Sequence, residues 1–200
     1  MPPSLSATSG LNAIAHAVEA LYARDRNPIT SLMAEEGIRS LARALSKIST
    51  DGKDMEARTE ALYGAWLCGC CLGAVGMALH YKLCHTLGGT FNLPHAETHA
   101  AVLPHALAYN ASAAPEAMVR IARAIGWEDA ASGLFELAGE IGVQRSLREL
   151  GMQEQDIDRA AGIAVTNPYW NPRAVEREPI RGLIARAWAG AAPVDDARHS

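Results

Sequence analysis

Phenylalanine occurs only twice in these 200 residues, and no useful run alternates apolar and polar residues with a period of two. Strands draw on aromatic and β-branched residues in that pattern, so a sheet has little to be built from. Long blocks of one charge are missing too: 18 Lys and Arg stand against 22 Asp and Glu, a net charge of −4. Without a basic stripe, no nucleic-acid partner is expected. The start, Met1-Pro2-Pro3-Ser4-Leu5, has no basic or apolar leader, so no signal peptide is read. Cysteine is confined to Cys68, Cys70, Cys71 and Cys84. Neighbours on one helix cannot bridge one another, which argues against a disulfide framework and fits a reducing cytoplasm. With no second pair at zinc-ribbon spacing, Cys68-Gly69-Cys70-Cys71 reads as small buried residues. Gly-rich strand-to-helix turns and P-loops are absent as well.

What remains is a globular composition, 49% apolar and 20% charged, rich in Ala and Gly. That bias favours closely packed helices, and the expected fold is all-α, a helical bundle in one domain. Thr8-Ser9-Gly10 reads as the cap of a helix over 11–24, and Pro28 and Thr30 open the next, to about Ser49. Asp51-Gly52 makes a turn before a long apolar helix over 54–79. A short helix covers 81–87 and is broken by Gly88-Gly89; Pro94-His95 starts another, to about Tyr109. Helices then fit 115–126, 129–142, 146–150, 153–165 and 179–188, with a proline-punctuated loop at 166–173. Residues 1–190 are expected to form the domain and 191–200 a flexible tail. Ala61 to Leu79 is uncharged and just long enough for a bilayer, yet it is only weakly hydrophobic and runs into a polar cluster. No membrane partner is expected, and the segment reads as a buried central helix.

The seven His are unevenly spread, with four of them between His80 and His99. Asn12 and His16 are four apart, as are Tyr81 and His85, and His95 and His99, so each pair shares a helix face. Three helices thus carry polar pairs in apolar surroundings, and a shared pocket would give them partners. Three or four converging His, Asp, Glu or Cys would suit Zn²⁺ or Fe²⁺, but Asn12 occupies the obvious carboxylate position, and neutral amides are poor ligands for such metals.

The stretches Ser9 to Glu19 (SGLNAIAHAVE) and His80 to His99 (HYKLCHTLGGTFNLPHAETH), continuing through Val102-Leu103-Pro104-His105, resemble the C-terminal helical domain of the iron-containing alcohol dehydrogenase superfamily, of dehydroquinate synthase-like fold. Within it they are most similar to the maleylacetate reductase branch, and the likeness covers essentially the whole chain. The resemblance implies NADH- or NADPH-dependent reduction of the carbon–carbon double bond of maleylacetate to 3-oxoadipate, in the breakdown of aromatic compounds. It places the metal-ligand positions of the superfamily on Asn12, His16, Tyr81 and His95. An Asp has there become Asn, as in the reductase branch, and one His has become Tyr, a departure from it. Metal-independent chemistry is therefore expected.

His85 is then the candidate acid and the residue beside the nicotinamide, with Tyr81 as a second catalytic group. His16 and His95, with Asn12, would position the ketone in place of the lost metal. Lys82, His80 and Arg173 would meet the two carboxylates of the substrate, and Tyr169 and Asn171 would close over it, with Tyr169 equally readable as a packing plug. Glu97 and His99 read as a mutual pair or a helix cap. The resemblance also implies a nucleotide-binding α/β domain as partner, which these residues do not include. The chain is accordingly expected to be inactive alone, to bind NADH weakly or not at all, and to self-associate as a homo-oligomer. A metal-dependent alcohol dehydrogenase relative and a non-catalytic helical module remain the alternatives.

Overall fold

The computed structural model describes residues 1–167 and 169–195; Pro168 and residues 196–200, the end of the expected tail, lie outside the described residues. The described residues form nine α-helices and one short 3-10 turn, with no strand: α1 Pro3–Tyr22, α2 Pro28–Thr50, α3 Met55–Ala74, α4 Leu79–Phe91, α5 His95–Asn110, α6 Pro115–Ile125, α7 Ala130–Glu140, α8 Asp156–Ala164 and α9 Arg177–Ala189. The all-α expectation holds.

Local chemistry explains most boundaries. Asn27 caps α2 by accepting the amides of Ile29 and Thr30, while the Thr30 hydroxyl accepts the amide of Asn27. Asp54 and Asp129 cap α3 and α7, and α6 ends on Gly126 in the left-handed conformation. Other boundaries differ from expectation. Helix α1 begins at Pro3, because proline is preorganised for a first turn. Thr8 and Ser9 lie within it, and Gly10 serves close approach instead: a Cβ there would sit 2.6 Å from Leu45. Gly88 and Gly89 do not break α4, which runs on to Asn92, a residue that accepts a left-handed conformation. Leu83 and Leu87 are fully buried on this helix and hold it past the glycines. The expected helix over 146–150 is a succession of turns, and α8 starts only at Asp156.

The larger correction concerns the long apolar stretch. It is not one central helix: α3 stops at Ala74 and α4 leaves at 94° to it, so no single helix is long and apolar enough to cross a membrane. Only one face of α3 is buried, against α2 and α1, while Leu62 is 74% exposed and Trp66 62%. The small residues serve that one contact rather than burial all round. A Cβ on Gly64 would lie 2.9 Å from Leu41 and 3.1 Å from the Gly37 carbonyl, and one on Gly37 would lie 2.8 Å from the Cys68 sulfur. The central helix is α5. Its Leu103 and Leu107 pack into a core shared by α1, α2, α6 and α7, and its Val102, Ala106 and Tyr109 into a second core built with α4, α8 and α9. All four cysteines are free.

The close α2–α3 contact makes a prediction. Gly64→Ala is expected to lower stability by about 1–3 kcal/mol through overpacking. Gly69→Ala, on the open side of the same helix with nothing within 4 Å, should be neutral or stabilising by up to about 1 kcal/mol. Urea midpoints of both variants check the pair; equal effects would mean that the two helices do not meet through these glycines.

Candidate functional site

Five side chains from α1, α4 and α5 meet where the sequence pairs them. The His16 ring centroid lies 5.9 Å from Tyr81 and 5.9 Å from His99. Tyr81 and His85 are 4.3 Å apart, as are His95 and His99, and His85 and His95 are 5.9 Å apart. Exposure falls inward: His85 and His95 are exposed, Asn12, His16 and Tyr81 are half-buried, and His99 is fully buried. The result is a recess with imidazoles at its rim and at its deepest point. Asn12 Oδ1, His16 Nδ1 and both ring nitrogens of His99 are buried with no protein partner. Buried polar atoms are ordinarily hydrogen-bonded, so these make the recess the candidate site.

Two residues matter that the sequence reading did not assign. His99 does not pair with Glu97 or cap a helix; its ring is the hub, touching His16, His80, Tyr81, His85 and His95. Its one sequence signal is the four-residue step from His95. Glu19 is fully buried, and its carboxylate accepts the amides of Ala78 at 2.8 Å, His80 at 2.8 Å and Tyr81 at 3.4 Å. An acid inside the apolar run AHAVEALY, three residues after His16, was its signal.

The remaining candidates are arranged differently from expectation. His80 is buried behind His99, its Nε2 2.9 Å from the His99 carbonyl, so it is no substrate cation. Asn171 accepts from the Leu79 amide and Asn110 and donates to Asn110 and the Arg173 carbonyl, which uses all its hydrogen-bonding sites. Arg173 donates to the Tyr109 carbonyl and stacks on the Tyr109 ring at 4.3 Å. Tyr169 packs against the second core, with its hydroxyl buried near Glu19 and Tyr109, as a plug does. The proline-punctuated loop therefore anchors helices. Of the expected cations, Lys82 is the one whose charge reaches His85.

The donor set fits a first-row metal poorly. At the four superfamily positions stand a neutral amide, a phenol and two imidazoles, with no anionic ligand. The ligand atoms of His80, Cys84 and His99 lie within 4.8 Å of one another. His80 Nε2, however, donates to the His99 carbonyl at 2.9 Å and is not open to an ion.

The electrostatics favour neutral rings. Burial first, then His95 and His85, lowers His16 to about 4. Burial, then His95 and Lys82, also holds His85 below its ordinary value. His80, His99 and His105 fall to about 4, about 2 and about 4, with burial the main cause in each. Burial lifts Glu19 to about 7, against the three amides that favour its charged form. A histidine depressed on folding binds protons better when unfolded, so its stabilising contribution is complete above about 6.5 and lost as pH falls toward its folded value. Glu19 acts oppositely, costing stability as pH rises from its ordinary 4.5 to about 7. Three buried histidines outweigh one carboxyl, so stability is expected to fall between about pH 7 and pH 5 by up to about 1.4 kcal/mol per pH unit for each histidine, and the melting temperature falls with it. A melting temperature that stays level or rises on acidification would contradict neutral, buried rings.

Comparison with known proteins agrees with this geometry. The model of the Fe-containing alcohol dehydrogenase family, C-terminal, matches residues 6–188. The chain is 57% identical over 193 residues to a maleylacetate reductase of Burkholderia cepacia and 58% identical over 194 residues to one of Sphingobium indicum, covering 96% and 97% of this chain and 55% of each relative. The crystal structure of maleylacetate reductase from Agrobacterium tumefaciens superposes with a TM-score of 0.94 at 54% identity, over 96% of this chain and 55% of that one. An iron-containing alcohol dehydrogenase from Corynebacterium glutamicum superposes with a TM-score of 0.90 at 42% identity, over 100% of this chain and 56% of that one. The chain spans about half the length of the curated relatives it matches. With its all-helical fold, its recess of imidazoles and a match over residues 6–188, the chain belongs to the iron-containing alcohol dehydrogenase family and corresponds to its C-terminal helical part.

Proposed function

We propose that residues 1–190 are the helical, substrate-binding part of a maleylacetate reductase, working with NADH or NADPH held mainly by a separate nucleotide-binding domain and without a metal. The observation that carries this reading is the convergence of Tyr81, His85, His16, His95 and His99 on one recess, in a chain 57% identical to a maleylacetate reductase. When bound, the reduced nicotinamide supplies a hydride to the alkene carbon β to the substrate's ketone. The π electrons then move onto the ketone oxygen as an enolate, and a proton must reach the carbon α to the ketone to complete the saturated product.

The chain's own residues manage that proton and that charge. His85, exposed at the rim, holds the proton delivered to the α carbon. Free His85 sits below its ordinary value, but a dianion beside it favours the imidazolium, so substrate binding itself charges the acid. The Tyr81 phenol, in contact with His85, donates to the developing enolate oxygen. His16 and His95 flank the ketone from α1 and α5, and Lys82 draws in a carboxylate. Burial holds His16, His85 and His99 below their ordinary values, which disfavours their charged forms until an anion enters.

Fusing this chain to the preceding segment of the Burkholderia cepacia relative tests the reading. The fusion is expected to oxidise NADH or NADPH only with maleylacetate present, without sensitivity to chelators, while the chain alone shows no turnover. In the fusion, His85→Ala is expected to lower kcat by about 10²- to 10⁴-fold, as removal of a general acid does. Chelator-sensitive turnover would favour the metal-dependent reading, and no effect of maleylacetate on rate or melting would favour a non-catalytic module.

The exposed Leu62, Tyr63, Trp66 and Leu72 on the outer face of α3 make a second expectation. A contiguous apolar face of this kind drives association, so the isolated chain should form oligomers that dissociate when Trp66 and Leu62 are changed to polar residues. Sedimentation of both forms decides it, and a monomeric unaltered chain at high concentration would refute it.

A further inference from the structure

We propose that Glu19 is the positioning residue of the recess: by receiving the amides at the start of α4, it decides which side chains of α4 face His16. The start of an α-helix leaves four amide protons without an intrahelical acceptor. In α4 these belong to Ala78, Leu79, His80 and Tyr81, since the first helical bond runs from the Lys82 amide to the Ala78 carbonyl. No side chain of α4's own segment caps them. Glu19 takes those of Ala78, His80 and Tyr81, and Asn171 takes that of Leu79 at 3.3 Å, so all four are satisfied from elsewhere in the chain.

The consequence lies in the register. His80, Tyr81 and Lys82 are consecutive, and successive helical residues point about 100° apart. A start of α4 shifted by one residue would present His80 or Lys82 to the recess and swing His85 away from His95. Glu19 prevents this from a particular place. It lies one turn after His16 on α1, so the helix that supplies one ring of the cluster also holds the amide of Tyr81, which supplies the next. A fully buried carboxylate is costly to keep without partners, and amide protons at a helix start are the partners that suit it. The catalytic meaning of this anchor rests on the reductase reading above; the anchor itself is geometric.

The test reads geometry in the chain itself, by NMR. In the unaltered chain the amides of Ala78, Leu79, His80 and Tyr81 are expected to exchange slowly although no backbone carbonyl receives them; free exchange at these four would overturn the proposal. Glu19→Gln replaces one acceptor oxygen by a donor group that faces the amides. It is expected to speed exchange at Ala78 and His80 more than tenfold and to shift the ring-proton resonances of His16, Tyr81 and His85. Ile38→Val, a core change in α2 away from the recess, lowers stability as a control and should move neither set. Ring resonances that stay in place in Glu19→Gln, with only the amides changed, would reduce Glu19 to a helix cap and overturn the positioning role. If Glu19→Gln does not fold, Glu19→Asp, a carboxylate one methylene shorter, takes its place with the same ring shifts expected. Ring shifts in a chain whose fusion reduces no maleylacetate would uphold the anchor and reject the reductase reading.

Discussion

A helix that begins inside a protein must find acceptors for its first amides before anything else can be arranged around it, and α4 begins inside this one. The chain arrives there through a break of four residues after Ala74 and turns by 94°. Three side chains from separate parts of the sequence receive the exposed amides: Asp25 that of Gly76, Glu19 those of Ala78, His80 and Tyr81, and Asn171 that of Leu79. Asn171 is in turn locked to Asn110 at the end of α5 by two hydrogen bonds. The break therefore ties together α1, α5 and the loop at 166–173, and the recess stands between these ties. Dismantling the ties of Glu19 or Asn171 leaves backbone donors of Ala78, Leu79 or His80 bare in a buried place, which costs more than an ordinary hydrogen bond contributes.

Within the recess the dominant physical fact is crowding of titratable rings. Five imidazoles and a phenol stand within van der Waals or near contact, and each proton added to one ring disfavours the next. Burial and this mutual repulsion disfavour the charged forms of His16, His80, His85 and His99. Replacing a carboxylate by Asn12 and an imidazole by Tyr81 at the superfamily's ligand positions moves the site in the same direction. A cation loses its charged ligand, whereas an anion loses a repulsive neighbour.

Much of this was legible beforehand, and for identifiable reasons. The four-residue steps Asn12–His16, Tyr81–His85 and His95–His99 are local, and helical periodicity alone puts each pair on one face. Pro28, Asp54, Asp129 and Gly126 mark ends of helices because capping is local too. Failures occurred where a residue's meaning depends on a distant partner. Gly10, read as a cap, is a contact point for Leu45, and Asn171, read as a substrate contact, is a clamp on Leu79 and Asn110. Likewise, the uncharged stretch Ala61 to Leu79 reads as part of a central helix, but lack of charge does not say how many neighbours a helix has.

The sequence by itself determined the all-helical class, the pairs of polar residues on three helices and the family, because residue identity and short-range spacing suffice for these. Only the tertiary structure decided that the three pairs meet, that His99 is their hub, and that His80 turns away while Tyr81 turns in. The physical reason is that one buried carboxylate, 59 residues before the first amide it receives, sets the rotation of α4. No local pattern carries information about a hydrogen bond across that separation.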